Sequence, residues 1–209
     1  MVFDRINRKF ERASLLTKCH FLTKRRFFAL FKHNRCEPPI HLFQIMALPK
    51  ELTAKNQLFM VTRYQTTDQI AAMIKKAIEQ SKPAADYLAP NFGGTQLNQC
   101  KQLYFFTKSL VPYKREPGGN QTAKTLQRII QDANKTGGDC KHYTTVICSI
   151  AKSLGIPVKM RLISQRINSR NPTHIYAVAN VDGKEIVIDP CMQKFMQQAR
   201  YFYKKDVQP

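Results

Sequence analysis

The feature that most constrains the fold is a turn signal, Asp182-Gly183, between two runs rich in β-branched and aromatic residues. Asp-Gly is typical of two-residue hairpin loops, because both loop residues need positive φ values. The flanking runs, 173–181 and 184–189, therefore predict two antiparallel strands joined by a tight turn. In that register Val181 faces Lys184, and every later pair follows by counting away from the turn.

A helix and another strand precede this hairpin. Gly137-Gly138-Asp139 opens an amphipathic run over 140–154, in which apolar residues recur at helical spacing. Asp139 is suited to cap this helix and Gly155 to end it. Residues 158–164 have the pattern of a strand. One helix that leads into an antiparallel sheet predicts an α+β fold.

Three more helices are predicted upstream, each from a capping residue and the apolar stripe that follows it. Their predicted limits are Thr67 or Asp68 to the residue before Pro83, Thr95 to Pro112, and a short helix that Thr122 caps. The segments between them contain Pro and Gly and are predicted to be loops. Helices therefore dominate the first part of the body of the chain, and the sheet dominates the second.

The chain is strongly basic, with 34 Lys and Arg against 14 Asp and Glu in 209 residues, a formal charge of +20. Such a surface attracts anions, so we expect a nucleic acid or another anionic surface among the partners. Three interpretations of the basic segment 1–45 remain open: a nucleic-acid or membrane-surface arm, an organelle-targeting peptide, or a segment outside the functional protein. We therefore divide the chain into an extension over 1–45 and a domain over 46–209.

Several classes of protein are disfavoured. No run of about 18 apolar residues occurs, so we expect no transmembrane segment. The N-terminus lacks the apolar core of a signal peptide, and six cysteines are too few for a disulfide framework. We therefore expect reduced thiols and a cytoplasmic location, or association with a virion if a phage encodes the chain. No Cys-x-x-Cys pair is present, so we expect no zinc site and no cofactor.

Cys140 stands at the start of the predicted helix, where unpaired backbone N–H groups and the helix dipole favour negative charge. A cysteine attacks a carbonyl carbon as a thiolate, and a helix start favours that form. The same N–H groups can stabilise the oxyanion that the attack creates. We expect Gly137 and Gly138 to let a substrate backbone come close. Cys140 is therefore the predicted nucleophile.

The predicted hairpin supplies two further groups. Tyr176 faces Asp189, and His174 lies two residues from Tyr176, so His174 and Asp189 are diagonal neighbours on one face of the sheet. A carboxylate at that distance can orient an imidazole. If the helix packs on that face, thiol, imidazole and carboxylate lie in a row, as in nucleophilic catalysis. Cys191 faces His174 in the same register and is expected at the edge of the cleft.

The motifs form an ordered set: Gly137-Gly138-Asp139-Cys140, Leu154-Gly155-Ile156-Pro157-Val158, Thr173-His174-Ile175-Tyr176, Asp182-Gly183-Lys184 and Ile188-Asp189-Pro190. This set resembles the transglutaminase-like superfamily of cysteine enzymes, above all its small bacterial and phage-borne members, the transglutaminase-like cysteine peptidases. The resemblance covers roughly residues 100–200. It implies a papain-like core, in which a helix bearing the nucleophile packs on an antiparallel sheet. It also implies acyl cleavage or transfer through a thioester.

The resemblance implies a role for each matching residue. Cys140 would be the nucleophile, His174 the general base and acid, and Asp189 the carboxylate that orients His174. The chain has no Trp, so a tryptophan that some relatives place near the oxyanion is missing, and Gln121 is the candidate donor there. Lys141-His142 follows the cysteine where many relatives carry acidic residues, so we expect a more positive cleft.

We expect a thiol hydrolase that cleaves an amide or peptide bond in a protein or peptide substrate through a thioester. Two alternatives remain open: a non-catalytic nucleic-acid-binding or virion-associated module on the same fold, and an acyltransferase that uses an amine acceptor. The run Arg200-Tyr201-Phe202-Tyr203-Lys204-Lys205 bears on the first alternative. Its interleaved aromatic and basic residues suit single-stranded nucleic acid, but the run also fits a terminal strand packed on the core, which we favour.

Overall fold

The computed structural model describes residues 48–49, 52, 58–61, 67–116 and 121–209. The helices in these ranges are α1 (Thr67–Gln80), α2 (Lys82–Leu88), α3 (Gln96–Leu110), α4 (Leu126–Thr136) and α5 (Cys140–Ser153), with a 3₁₀ turn at Ala89–Asn91. The strands are β1 (Leu58–Val61), β2 (Gln121–Lys124), β3 (Val158–Ser164), β4 (His174–Val181), β5 (Lys184–Ile188) and β6 (Tyr203–Val207). The predicted extension over 1–45 lies outside the described residues.

Four strands form one antiparallel sheet in the order β5-β4-β3-β6, and β1 pairs with β2 in a separate two-stranded sheet. The predicted turn is present, because Asp182 and Gly183 have φ values of 52° and 77°. The hairpin register is the predicted one, from Val181 opposite Lys184 onward. Helices packed with antiparallel sheets make the fold α+β, which confirms the predicted class.

Helix α5 lies at the centre of the fold. Every residue from 141 to 151 is buried, because α5 packs against β4 on one side and against α1, α2 and α3 on the others. The β4 residues that share the main core with α5 are Ile175, Ala177 and Ala179. The intervening residues Tyr176 and Val178 belong to a second cluster on the other face of the sheet. Both faces of β4 are therefore covered.

Two predictions about the helices are wrong. Thr122 caps no helix and lies in β2, while Thr125 caps α4 by accepting a backbone N–H three residues further on, at 3.4 Å. The cause is a contact that a local pattern does not contain, since the Thr122 hydroxyl donates to Glu116. The residues from Pro83 to Leu88, predicted as loop, belong to α2. Pro83 stands in its first turn, where a missing N–H is tolerated.

The segment after β5 covers the second face of the sheet. Ala199 and Tyr201 pack against the second cluster, and β6 adds a strand beside β3. The basic and aromatic run over 200–205 therefore leads into an edge strand, as favoured from the sequence. Among the described residues, no helix combines the length and the apolar character that crossing a membrane requires.

A buried arginine on the same face links three strands. The Arg161 side chain of β3 is 2% exposed. It donates to Asp206 of β6 at 2.7 and 2.8 Å and to Glu185 of β5 at 2.9 Å. Hydrogen bonds from Arg161, together with those from Lys159, lower the pKa of both Glu185 and Asp206 to about 2. The buried positive charge is therefore compensated by carboxylates from strands on either side of β3.

Candidate active site

Cys140 is the first residue of α5, and Asp139 caps that helix. The Asp139 carboxylate accepts the Lys141 N–H at 3.0 Å, and the Asp139 carbonyl accepts the Tyr143 N–H at 3.1 Å. Cys140 is partly exposed, whereas the residues that follow it are buried. The thiol therefore stands at the positive end of the helix dipole, where the buried helix meets solvent.

Gly137 and Gly138 pack against residues 111–114 of the chain itself. The Gly138 N–H donates to the Pro112 carbonyl at 3.0 Å, and the Lys114 N–H donates to the Gly138 carbonyl at 2.8 Å. Gly137 has a φ of +63°, and a Cβ there would lie 2.5 Å from the Pro112 oxygen. The space that we expected a substrate backbone to use is therefore filled by the segment after α3.

His174, the first residue of β4, contacts Asp189, the residue after β5. His174 Nε2 and Asp189 Oδ2 are 2.7 Å apart, and the two side chains are 11% and 1% exposed. Burial would lower the pKa of His174, but Asp189 and the adjacent Cys140 sulfur outweigh this effect and raise the pKa to about 10. The ring is therefore held in its charged form beside Cys140, with its orientation set by Asp189.

Helix α5 meets the hairpin at the start of β4. Thr144, one helical turn after Cys140, donates to the Ile175 carbonyl at 3.3 Å. By alternation His174 shares a face with Tyr176, whose ring centroid is 5.6 Å from that of His174. Helix α5 instead packs on the face of Ile175. The sequence analysis expected α5 to pack on the face that carries His174 and Asp189. Cys140 instead approaches His174 around the end of β4.

Cys191 lies beside the His174–Asp189 pair, but it does not pair with His174 as part of strand β5, which was the predicted arrangement. Strand β5 ends at Ile188, and the chain then turns, with the Met192 N–H donating to the Asp189 carbonyl at 3.0 Å. The Cys191 N–H donates to Asp189 Oδ1 at 3.0 Å. The Cys191 sulfur, a His174 nitrogen and an Asp189 oxygen all lie within 4.8 Å of one another.

Tyr113 is a residue at this site that the sequence analysis did not single out. Its backbone pairs with Gly138 in an isolated parallel bridge, and the residue is 55% exposed. The ring packs edge-on against Tyr143 of α5, at 5.9 Å between centroids. Partial burial, then Cys191 and Cys140, raise the pKa of the Tyr113 phenol to about 12, so the hydroxyl remains a hydrogen-bond donor. No motif marks this residue, because its place depends on the docking of 111–114.

A buried polar cluster lies under the first turn of α5. Its members are Glu116, Thr122, Asp139, Lys141 and His142. Lys141 Nζ contacts Asp139 Oδ2 and lies 3.7 Å from Glu116 Oε2. The Asp139 N–H donates to His142 Nδ1 at 3.1 Å, and His142 Nε2 lies 3.3 Å from the Thr122 hydroxyl. The cluster joins the start of α5 to β2 and to Glu116.

This cluster overturns the expectation of a more positive cleft. The Lys141 and His142 side chains are 6% and 1% exposed, and both face carboxylates. Burial would raise the pKa of Asp139, but His142 and Lys141 outweigh this effect and hold it at about 2. The Lys141 ammonium therefore compensates buried acids, and neither the Lys141 nor the His142 side chain reaches the surface around Cys140.

Gln121 is the first residue of β2, and its backbone pairs with Val61 of β1. The residue after it, Thr122, belongs to the buried cluster under α5. The structure thus places Gln121 one residue from the group of side chains that supports the helix start. The role of Gln121 as an oxyanion donor stays a prediction.

No family model matches this chain, and no curated protein matches its sequence. Among solved structures, the chain is similar to the crystal structure of a "putative protease" from Parabacteroides distasonis. The sequences are 14% identical, the TM-score is 0.46, and the match covers 60% of this chain and 27% of that one. The match thus spans about a quarter of that protein's length, and at this TM-score it establishes neither a shared fold nor a shared activity.

Proposed function

We propose that this chain is a thiol hydrolase of the transglutaminase-like type, with Cys140 as its nucleophile and His174 and Asp189 as partners. The observation that carries the proposal is the 2.7 Å contact between His174 Nε2 and Asp189 Oδ2, beside a partly exposed cysteine at a helix start. Each group has the chemistry that its role requires: a polarisable sulfur, a charged imidazole and a buried carboxylate. The proposed substrate is an amide or peptide bond.

In the first half of the proposed reaction, the Cys140 thiolate attacks the carbonyl carbon of the amide. The C=O electrons move onto oxygen, and the Cys140 backbone N–H at the start of α5, with Gln121 as the candidate side-chain donor, stabilises the resulting oxyanion. The tetrahedral intermediate then collapses, and the C–N bond breaks. The His174 imidazolium donates its proton to the leaving amine, which leaves a thioester on Cys140 and a neutral ring.

In the second half, neutral His174 takes a proton from water as the water oxygen attacks the thioester carbonyl. The C–S bond breaks, the carboxylic acid leaves, and the thiolate and imidazolium are restored. Asp189 is itself held by the Cys191 N–H at 3.0 Å. Asp189 therefore orients the His174 ring through Nε2, which leaves Nδ1 to exchange protons with the Cys140 sulfur. An amine in place of water would give acyl transfer; we favour hydrolysis because Cys140 is open to solvent.

The reactivity of the thiols tests this proposal without a known substrate. The full chain is treated with iodoacetamide at pH 7, and the labelling rate of each cysteine is followed by peptide mass spectrometry. Cys140 is expected to react at least tenfold faster than Cys100 and Cys148, because burial raises the pKa of those thiols to about 11 and about 12. His174→Ala is expected to slow Cys140 labelling at least tenfold and to leave the labelling of Cys100 and Cys148 unchanged.

Fluorescein-labelled casein serves as the amide probe. Cys140→Ala is expected to abolish peptide release, and Cys140→Ser is the conservative comparison, because a serine hydroxyl is a poor nucleophile without a matched base. Full casein cleavage by Cys140→Ala would end the proposal. So would a folded chain whose Cys140 never reacts with iodoacetamide. A dansylated alkylamine that becomes attached to casein would indicate transfer in place of hydrolysis.

The nucleic-acid alternative predicts a different behaviour, namely single-stranded DNA binding that weakens as salt rises and that does not depend on Cys140. In the run over 200–205, Arg200 lies over the Phe202 ring at 5.4 Å, and Lys204 lies over the Tyr201 ring at 5.9 Å. These basic groups already stack on aromatic rings of their own segment. The contacts therefore give no reason to prefer this alternative to the hydrolase.

A further inference from the structure

Cys191 adds a third metal-binding type of side chain to the His174–Asp189 pair. Its sulfur, a ring nitrogen of His174 and a carboxylate oxygen of Asp189 all lie within 4.8 Å of one another. The proposed hydrolysis uses His174 and Asp189 but gives the Cys191 thiol no task. The turn after β5 holds that thiol in place, because the Cys191 N–H donates to Asp189 Oδ1 at 3.0 Å.

Imidazole, carboxylate and thiolate together make a typical ligand set for Zn²⁺. Zinc binds nitrogen and oxygen at about 2.0–2.2 Å and sulfur at about 2.3 Å, which puts the ligand atoms of a tetrahedral site about 3.3–3.7 Å apart. The separations here run from 2.7 Å, between His174 Nε2 and Asp189 Oδ2, up to 4.8 Å. Side-chain rotations that move single atoms by about 1 Å would widen the first and shorten the longest to those values. Ca²⁺ and Mg²⁺ fit poorly, because both prefer shells made of oxygen alone.

We propose that His174, Asp189 and Cys191 form a binding site for Zn²⁺ or a similar thiophilic divalent cation, with a fourth position open to solvent. As the zinc–sulfur bond forms, the Cys191 thiol gives its proton to solvent, and the proton shared by His174 and Asp189 leaves as well. No electrons are transferred. His174 and Cys191 are both partly exposed, so an ion can reach the site from solvent.

The site would also control the proposed hydrolase. A His174 ring bound to metal cannot exchange protons with Cys140 or with a leaving amine. Occupancy by Zn²⁺ therefore inhibits, and the inhibition depends on Cys191, a residue with no part in the reaction itself. This second consequence rests on the proposed function, whereas the binding of metal does not.

The test uses the full chain with Cys140→Ser, which removes the proposed nucleophile and keeps all three ligands. Zinc affinity is measured by competition with a chromogenic chelator. Co²⁺ serves as the spectroscopic probe, because a cobalt–thiolate bond gives a charge-transfer band in the near ultraviolet. In this background Cys191→Ser is expected to weaken zinc binding at least tenfold and to remove the cobalt–thiolate band. The control Cys100→Ala is expected to change neither, because Cys100 is buried in the core.

Equal zinc affinity with and without Cys191→Ser, or a cobalt–thiolate band that survives this substitution, overturns the proposal. If Cys191→Ser does not fold, anomalous diffraction from a zinc-soaked crystal of Cys140→Ser decides instead. A peak within bonding distance of the three side chains supports the site, and its absence there overturns it. The two proposals can fail separately. If Cys140→Ser binds zinc as expected but Cys140 of the natural chain never reacts with iodoacetamide, the metal-site proposal stands and the hydrolase proposal fails.

Discussion

Lys141 is the cation of the buried cluster under α5, and Lys141→Met tests whether that cluster stabilises the start of the helix. Methionine keeps most of the apolar stem and removes the ammonium. After this substitution the Asp139 carboxylate still accepts the backbone N–H of residue 141, at 3.0 Å in the natural chain, and still lies beside His142. Glu116, whose Oε2 lies 3.7 Å from Nζ, loses a contact as well. Two carboxylates that are only 5% and 18% exposed are therefore left with less compensation.

The pKa of Asp139, about 2, sets the scale of the effect. Against an ordinary value of about 3.9, this depression corresponds to about 2–3 kcal/mol of stability at neutral pH. His142 and Lys141 share that contribution. Removal of one partner from a buried ion pair costs about 3–5 kcal/mol in other proteins, but here other partners remain. We expect Lys141→Met to lower the free energy of unfolding by about 2 kcal/mol.

Urea unfolding followed by circular dichroism measures this loss at pH 7, and Lys82→Met is the matched control. Lys82 pairs with Asp86 at 2.7 Å, but the two side chains are 73% and 47% exposed, so its loss should cost less than about 1 kcal/mol. The folded-state pKa of Asp139 is lowered, so its contribution is present above about pH 4 and is lost as pH falls toward 2. The difference between the natural chain and Lys141→Met should therefore shrink over that range.

The double variant Asp139→Asn/Lys141→Met makes the test specific. Asn caps a helix about as well as Asp does, and the double variant leaves Glu116, whose side chain is 18% exposed, as the one carboxylate of the cluster that has lost the ammonium. We expect the double variant to be more stable than Lys141→Met alone and within about 1 kcal/mol of the natural chain. Strictly additive losses would refute the reasoning. So would a Lys141→Met chain that is as stable as the Lys82→Met control.

Three further substitutions test other parts of the structure. Arg161→Met should lower the free energy of unfolding, measured in urea, by about 1–2 kcal/mol. This is less than the loss from a fully buried ion pair, because the carboxylate partners of Arg161 are 50% and 29% exposed. No loss would contradict the role of Arg161 in linking three strands. Asp189→Asn should move the pKa of His174 down from about 10, so that iodoacetamide labelling of Cys140 falls at least tenfold at pH 6; an unchanged pH profile would contradict the coupling. Gly138→Ala should cost about 1–3 kcal/mol, because its Cβ would lie 2.9 Å from side-chain atoms of two neighbours; thermal unfolding at an unchanged temperature would contradict that packing.

What could be predicted from the sequence depends on local chemistry. The turn at Asp182-Gly183 determines the pairing of β4 with β5, because Asp-Gly adopts the required positive φ values and leaves one register. Asp139 and Gly155 mark the two ends of α5 for a similar reason, since a cap and a stop act within a few residues. The register brings His174 and Asp189 to the same end of the hairpin, and their 2.7 Å contact forms just beyond its last pair, Ala177 and Ile188.

The features that were missed all depend on contacts between distant parts of the chain. Thr122 has the composition of a helix cap, but its hydroxyl donates to Glu116 and its backbone pairs with β1. A lysine at position 141 is expected at the surface, but its side chain is buried because carboxylates of the cluster under α5 surround it. Cys191 comes to His174 through a turn after β5 and not through continued pairing. No local pattern contains that information.

The docking of residues 111–114 onto Gly138 determines how short a working piece of this protein can be. A fragment over 121–209 would contain Cys140, His174 and Asp189, yet it would lack the carbonyl of Pro112 and the N–H of Lys114 that hold Gly138. It would also lack the Val111 carbonyl, which accepts the Tyr143 hydroxyl at 2.8 Å. Without these anchors the start of α5 loses its contacts with the segment after α3. A truncation that keeps these contacts must therefore retain residues 111–114.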